Sequence, residues 1–319
     1  MKRFTHITPT SIQEVIPLLS EHTRPLAGGT DLLTELKEGL ADPDHLVSLR
    51  KLSELRGVTF DAGVHIGALT TLTELSRHPQ IKDGPYQVLA QSARLAASPQ
   101  LRNMATIGGN LLQDVRCWYY RGPFDCWLKG GDGCPARDGE HHKHALFDQS
   151  PCVAVQPSDP ATALLALDAT VSVAGPDVTR ALGMQELLAP PTAAHRKLHT
   201  LQPDELITAI NLPDRTGWQS IYLKAMERAT YSFALVGVAV ALKLDAGIVV
   251  DARIVLGGVA NAPLRLDDAA TWLAGQPLNE ATIAAAAHMA VRDVQPLPQT
   301  HYKAEMTQRM VQHALTTMV

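Results

Sequence analysis

Two stretches decide how this chain is read: Pro25-Leu26-Ala27-Gly28-Gly29-Thr30-Asp31-Leu32-Leu33 and Ala105-Thr106-Ile107-Gly108-Gly109-Asn110-Leu111. Each sets a glycine pair ahead of a helical pattern, with Thr or Asn straight after the glycines and leucine close behind. Paired glycines let a backbone turn sharply and approach a ligand closely, with N–H groups pointing outward. At a strand-to-helix junction those N–H groups favour a phosphate. The plainer reading is a tight turn or a helix cap. Neither stretch is G-x-G-x-x-G or G-x-x-x-x-G-K-[ST], so neither a dinucleotide fingerprint nor a P-loop follows. A third pair, Gly257-Gly258, falls in a strand pattern with no helix behind it and reads as a bulge or a close strand contact.

Outward from the first loop, Thr30 is placed to cap a helix over Asp31–Leu36, with Asp31 in its first turn. His45–Leu49 and Val64–Ala68 read as short strands, Thr71–Leu75 begins a helix, and Gln87–Ala97 carries apolar residues at helical spacing. Cys152–Val155 reads as a buried strand, and Pro157-Ser158-Asp159-Pro160 as the start of a helix over Ala161–Leu167. Thr170–Ala174 and the run Glu205–Pro213 complete this region. Pro213-Asp214-Arg215-Thr216-Gly217 is a turn-rich joint and the expected domain boundary. Beyond it, Phe233–Leu244 and Gly247–Val259 are β-branched runs joined at Asp245-Ala246-Gly247, a hairpin signal. Ala-rich helices follow over Asp267–Leu273, Glu280–Val291 and His301–Met318. The expected class is α+β, with domains at 1–215 and 216–319.

Composition narrows the function. The 319 residues are 45% hydrophobic and 19% charged, which excludes a disordered chain. Lys and Arg number 28 against 32 acidic residues, a net charge of −4, so no basic surface awaits nucleic acid. No apolar run reaches the length of a membrane span. The start, Met1-Lys2-Arg3-Phe4-Thr5-His6, has no apolar core of a secretion signal, so a cytoplasmic site is expected.

All four cysteines fall in one segment, Cys117-x8-Cys126-x7-Cys134-x17-Cys152. A disulfide framework does not suit a chain of this size without a secretion signal. Structural zinc favours C-x2–4-C knuckles, which are absent. A four-thiolate iron–sulfur cluster tolerates irregular spacing, because the loops only have to wrap the cluster. Iron–sulfur, zinc and free thiols all remain open on spacing. His141-His142-Lys143-His144 lies in the same segment beside Glu140 and reads as solvated surface. Trp118, Tyr119, Tyr120, Phe124 and Trp127 are placed to shield whatever the thiolates hold.

No nucleophile or acid–base set stands out. Lys224 and Arg228 each offer a positive charge to a flavin or phosphate, or belong to solvated loops. The chain offers cofactor cradling rather than covalent catalysis.

Together, residues 25–33, 105–111 and Pro157-Ser158-Asp159 make the chain resemble the FAD-binding medium subunit of the molybdenum hydroxylases, the xanthine dehydrogenase, aldehyde oxidoreductase and carbon monoxide dehydrogenase family. The likeness spans the whole chain and includes Leu46-Val47-Ser48-Leu49, Ile66-Gly67-Ala68-Leu69-Thr70 and Glu205-Leu206-Ile207. The cysteine segment, at about 115–152, is similar to the [4Fe-4S]-carrying type, as in 4-hydroxybenzoyl-CoA reductase and the bacterial periplasmic aldehyde oxidoreductase. The resemblance implies a two-subdomain FAD-binding (PCMH-type) domain, then a three-stranded antiparallel sheet with a helical bundle. It implies that Leu26, Ala27, Gly28, Gly29, Thr30, Asp31 and Leu32, with Thr106, Gly108, Gly109 and Asn110, hold the FAD pyrophosphate and ribityl region. Asp159 would lie on its sugar side and Lys224 near the isoalloxazine ring, with Ser158 and Ile207 also among the cofactor-binding residues. Cys117, Cys126, Cys134 and Cys152 would ligate the cluster. The implied partners are a large molybdopterin-binding subunit carrying the molybdenum cofactor, a small [2Fe-2S] subunit, and a one-electron carrier such as a ferredoxin. A periplasmic site would then require export on a partner's signal. The residues leave two other classes standing: a stand-alone FAD-dependent oxidase or reductase, which needs an acid or base beside the flavin, and a zinc-stabilised interaction module.

Overall fold

The computed structural model describes residues 2–177 and 179–319. Strands β1 (Thr5–Ile7), β2 (Thr23–Leu26) and β3 (His45–Ser48) form a parallel sheet in the order β1-β3-β2. The first glycine loop leaves β2 and enters helix α1 (Leu32–Glu38), which ends on Gly39 in the left-handed region at φ 73°. The N-cap position of α1 is Asp31, not Thr30. The Asp31 carboxylate does not cap the helix but turns away toward other partners, described below.

A second, antiparallel sheet combines β4 (Val58–Phe60), β5 (Gly63–Gly67), β6 (Thr170–Ala174), β7 (Thr179–Gly183) and β8 (Leu206–Pro213) in the order β4-β5-β8-β6-β7. Helices α2 (Leu72–Arg77), α3 (Gln87–Leu95) and α4 (Ile107–Leu111) lie between β5 and the cysteine segment in sequence. Thr71 and Glu74 close a capping box on α2. Thr106 caps α4, its hydroxyl accepting from the Gly109 N–H at 3.3 Å. Helix α5 (Asp159–Ala166) follows the cysteine segment, capped by Ser158, and every one of its residues is buried. Its Pro-Ser-Asp-Pro start is what the sequence requires: a side-chain acceptor, then proline where no N–H is needed.

The third sheet contains β9 (Trp218–Ala225), β10 (Val236–Asp245), β11 (Ile248–Gly257) and β12 (Leu264–Arg265). Its order is β12-β11-β10-β9, so the expected three strands are four, the last only two residues long and too short to show as a pattern. The β10–β11 hairpin turns through Ala246 and Gly247, both at positive φ. Val236, Val238, Val240 and Leu242 face one core, which includes helices α6 (Asp267–Leu273), α7 (Glu280–Met289) and α8 (Tyr302–Thr316). Ala239 faces the other core, with α3 and α5. Burial on both faces explains why β10 reads as a continuous apolar run instead of an alternation. Each fully buried Val or Leu there contributes about 2 kcal/mol of burial.

The sheets change between Pro213 and Trp218. Asp168, at the end of α5, ties that joint to the third sheet: it takes Arg253 at 2.9 Å and Arg265 at 2.6 Å, and also bonds Arg215. No helix among the described residues is long and apolar enough to cross a membrane.

Cys152, Val153 and Ala154 are buried and Val155 half-buried, but the run is not a strand. Its backbone bonds go elsewhere: the Ala145 N–H donates to the Val153 carbonyl at 2.9 Å, and the Asn261 amide donates to the carbonyls of Cys152 and Ala154 at 3.0 and 2.7 Å. An apolar run this short cannot reveal whether a strand or a side chain will satisfy it.

Candidate functional site

The two glycine loops pack against each other. A Cβ on Gly28 would stand 1.8 Å from the Met104 carbonyl oxygen, just ahead of the second loop, so only glycine lets the chains approach. Gly29 adopts φ 71°, the left-handed region that glycine tolerates. Between the loops lies a cavity of about 390 Å³. Ala27, Gly28, Gly29, Thr30, Asp31 and Leu32 line it from one side, and Thr106, Gly108, Gly109 and Ile207 from the other. Leu26 and Asn110 do not line it. Leu26 packs beneath Gly29, and the Asn110 side chain accepts the Ser158 hydroxyl at 2.6 Å, joining the second loop to α5.

A second cavity, about 360 Å³, is bounded by Ser158 and Asp159, by Arg116, Cys117 and His144 of the cysteine segment, and by residues 227–235. Asp159 is 5% exposed. Its two oxygens accept the Tyr222 hydroxyl at 2.7 Å and the Lys224 ammonium at 2.8 Å. Burial, then the Asp159 charge, holds the Tyr222 phenol far above its usual range, so it stays a donor. Lys224 has a side chain only 1% exposed and lines neither cavity; it stands behind Asp159, giving another proton to the Leu95 carbonyl at 3.0 Å. Arg228 reaches the second cavity, its guanidinium 5.4 Å above the Tyr231 ring. Gly257 and Gly258 give a close contact, as read: a Cβ on Gly257 would meet the Thr162 hydroxyl at 2.3 Å.

The four cysteines are free thiols; Cys117, Cys126 and Cys152 are buried and Cys134 is half-buried. Burial first, then the charges that Cys126 and Cys134 would carry, push Cys117 up to about 11. Cys152 is driven still higher by burial and then by Cys134, Cys117 and Cys126. The four thiols therefore lie within electrostatic reach of one another. Among the described residues, however, no group of three or more His, Cys, Asp or Glu side chains is arranged to hold a metal ion. The thiols thus gather without converging on one point. In donor chemistry the set still matches a cluster, which takes four soft thiolates around several irons.

Two histidines depart from the expected solvated surface. His141 and His144 are 4% and 3% exposed. His141 Nδ1 lies 2.8 Å from the Ala136 carbonyl, and His144 Nε2 lies 3.2 Å from the Cys117 sulfur. Burial, then the Lys303 charge, brings His144 down to about 4, so the ring is neutral. Lys303 itself is fully buried, donating to the carbonyls of His144 and Gly258 at 2.8 Å each. Tyr119 and Trp127 are buried in one cluster with Cys117 and Cys152, while Phe124 is 47% exposed and packs edge-on against the Tyr119 ring at 4.9 Å.

Residues 2–215 match the family described as the FAD binding domain in molybdopterin dehydrogenase. Residues 221–318 match the CO dehydrogenase flavoprotein C-terminal domain. The chain belongs to this family. As an FAD-binding medium subunit of the molybdenum hydroxylases it is an oxidoreductase component. It is 38% identical over 270 residues, 82% of this chain and 83% of the relative, to the aldehyde oxidoreductase FAD-binding subunit PaoB of Escherichia coli (strain K12). It is 27% identical to the glyceraldehyde dehydrogenase medium chain of Sulfolobus acidocaldarius, covering 98% of this chain and 95% of that one. Among solved structures, carbon monoxide dehydrogenase from Hydrogenophaga pseudoflava matches at 26% identity with a TM-score of 0.78, covering 99% of this chain and 96% of that one. The relatives are named as subunits and medium chains, so this family works as one part of larger enzymes.

Tyr222 and Arg116 are parts of the site that sequence reading passes over, and His144 is one that it reads as solvated surface. Tyr222 carried a signal, since it lies two residues from Lys224 on one face of a strand. The others depend on how an irregular loop closes, which no periodicity encodes.

Proposed function

We propose that this chain is the FAD- and [4Fe-4S]-carrying electron-transfer subunit of a heterotrimeric molybdenum hydroxylase, working between a [2Fe-2S] subunit and an external one-electron partner. The observation that carries this reading is the placement of the four-thiol segment, whose Tyr120 and Leu128 line the cavity between the two glycine loops and whose Cys117 borders the second cavity. When bound, FAD would supply a carrier able to take two electrons together and pass them singly, and the cluster a one-electron carrier.

This chain's own residues bind, orient and exclude water. Ala27–Leu32 and Thr106–Gly109 would receive the dinucleotide backbone, with Asp159 held in one orientation by Tyr222 and Lys224. Ser158 and Asn110, bonded to each other, fix α5 against the second loop. Cys117, Cys126, Cys134 and Cys152 would hold the cluster under Tyr119 and Trp127, which keep solvent from the thiolates. A molybdopterin-binding large subunit would carry the substrate chemistry. The likeness to the aldehyde oxidoreductase subunit supports this arrangement. Anaerobic purification with cofactor and metal analysis tests it: flavin with several irons per chain is expected, and one zinc without flavin would refute it.

A further inference from the structure

This inference rests on the reading that the four cysteines hold a cluster. The flavin loop and the cysteine segment meet at one carboxylate. Asp31 closes the first glycine loop, and one of its oxygens accepts Arg116 at 2.7 Å and Arg121 at 3.1 Å. The other accepts the Asp114 backbone N–H at 2.9 Å. All three donors belong to residues 114–121, the segment that presents Cys117. The same segment is braced from within: Tyr120 donates to Asp114 at 2.9 Å, and Arg121 to the Val115 carbonyl at 2.8 Å. Arg121 also pairs with Glu38 on α1 at 3.1 Å. The Arg116, Arg121 and Asp31 side chains are only 24%, 13% and 18% exposed, so these contacts are partly shielded from water and salt.

We propose that Asp31 is a positioning residue that couples flavin binding to occupation of the cysteine site. Ligation at Cys117 fixes the residues on either side of it. Those residues hold Arg116, Arg121 and the Asp114 N–H on Asp31, and Asp31 holds the loop that begins at Ala27. With the metal stripped, residues 114–121 regain conformational freedom, and the loop must be ordered when the flavin dinucleotide binds. The coupling is reciprocal, so bound FAD in turn strengthens retention of the metal.

The test uses the full chain under anaerobic conditions, comparing iron-loaded with chelator-stripped protein and following FAD binding by quenching of flavin fluorescence. Stripping weakens FAD binding on the order of tenfold in the unaltered chain. In Arg116→Gln and in Asp31→Asn, which keeps the size and the acceptor for Asp114, the ratio between loaded and stripped protein falls close to one, whatever the absolute affinity. A purely structural role would shift both affinities and leave their ratio intact. A ratio near one in the unaltered chain, or a tenfold ratio surviving in both variants, overturns the coupling while leaving the cluster reading in place. A chain that takes up flavin but no iron overturns the cluster reading, and the coupling with it.

Discussion

Asp159 is a buried carboxylate whose two oxygens are committed to Tyr222 and Lys224. Removing its charge leaves an ammonium that is 1% exposed without an ionic partner, and puts an amide donor where one of the two donors, Tyr222 or Lys224, needs an acceptor. Asp159→Asn therefore costs about 3 kcal/mol, seen as a lower melting temperature, and adding Lys224→Met recovers most of it. An unchanged melting curve for the single variant would remove Asp159 from this role. Gly28 gives a steric prediction. Gly28→Ala drives a methyl into the Met104 carbonyl, so the loops separate, FAD is released on gel filtration, and stability falls by about 1–3 kcal/mol. Gly109→Ala is the milder control, because its Cβ meets only the Thr106 hydroxyl at 3.1 Å. Glu35, on α1 beside the first cavity, is pushed up to about 8 by burial, then by Asp114 and Asp31. The unfolded chain gives up that proton near 4.5 while the folded chain keeps it to about 8. Its contribution to stability therefore falls as pH rises through that interval. Glu35→Gln flattens the pH dependence of melting between pH 5 and 8.

The cysteine segment is the element where sequence and structure part most. Its glycines, prolines and aromatics announce an irregular loop, and the thiols do gather. The buried histidines, the strand that is not a strand, and the ring of bonds around Asp31 were illegible. Each depends on contacts with distant residues: Asn261 under Cys152, Lys303 under His144, Asp31 beside Arg116. By contrast, α5 was legible to within a residue or two, because Pro-Ser-Asp-Pro encodes a helix start locally. The β10–β11 hairpin was legible for the same reason, through Asp245-Ala246-Gly247. Within the segment, Cys126→Ser should abolish iron retention while FAD still binds at reduced affinity, read by metal analysis and the flavin spectrum. Full iron content in that variant would refute Cys126 as a ligand.

At the scale of the molecule, β10 lies between two cores, one of which holds α5, and the second cavity opens beside the start of that helix at Ser158, Asp159 and Thr162. The glycine loops and the Pro-Ser-Asp start could be found in sequence because each obeys a local backbone rule. That the two loops enclose one cavity while the Pro-Ser-Asp start borders another, joined through the Ser158–Asn110 bond, could not be found there, since it follows from contacts between residues far apart in the chain. Asp168 and its three arginines keep the third sheet fixed to α5, so the wall that carries Tyr222 and Lys224 does not move independently. The central claim is that a second redox centre stands beside the flavin. The most direct measurement is the visible and electron paramagnetic resonance spectrum of the anaerobically purified chain, with metal analysis on the same sample. The account predicts flavin bands together with about four irons per chain and a cluster signal on reduction. Flavin with no iron, or one zinc on the four thiols, would contradict it.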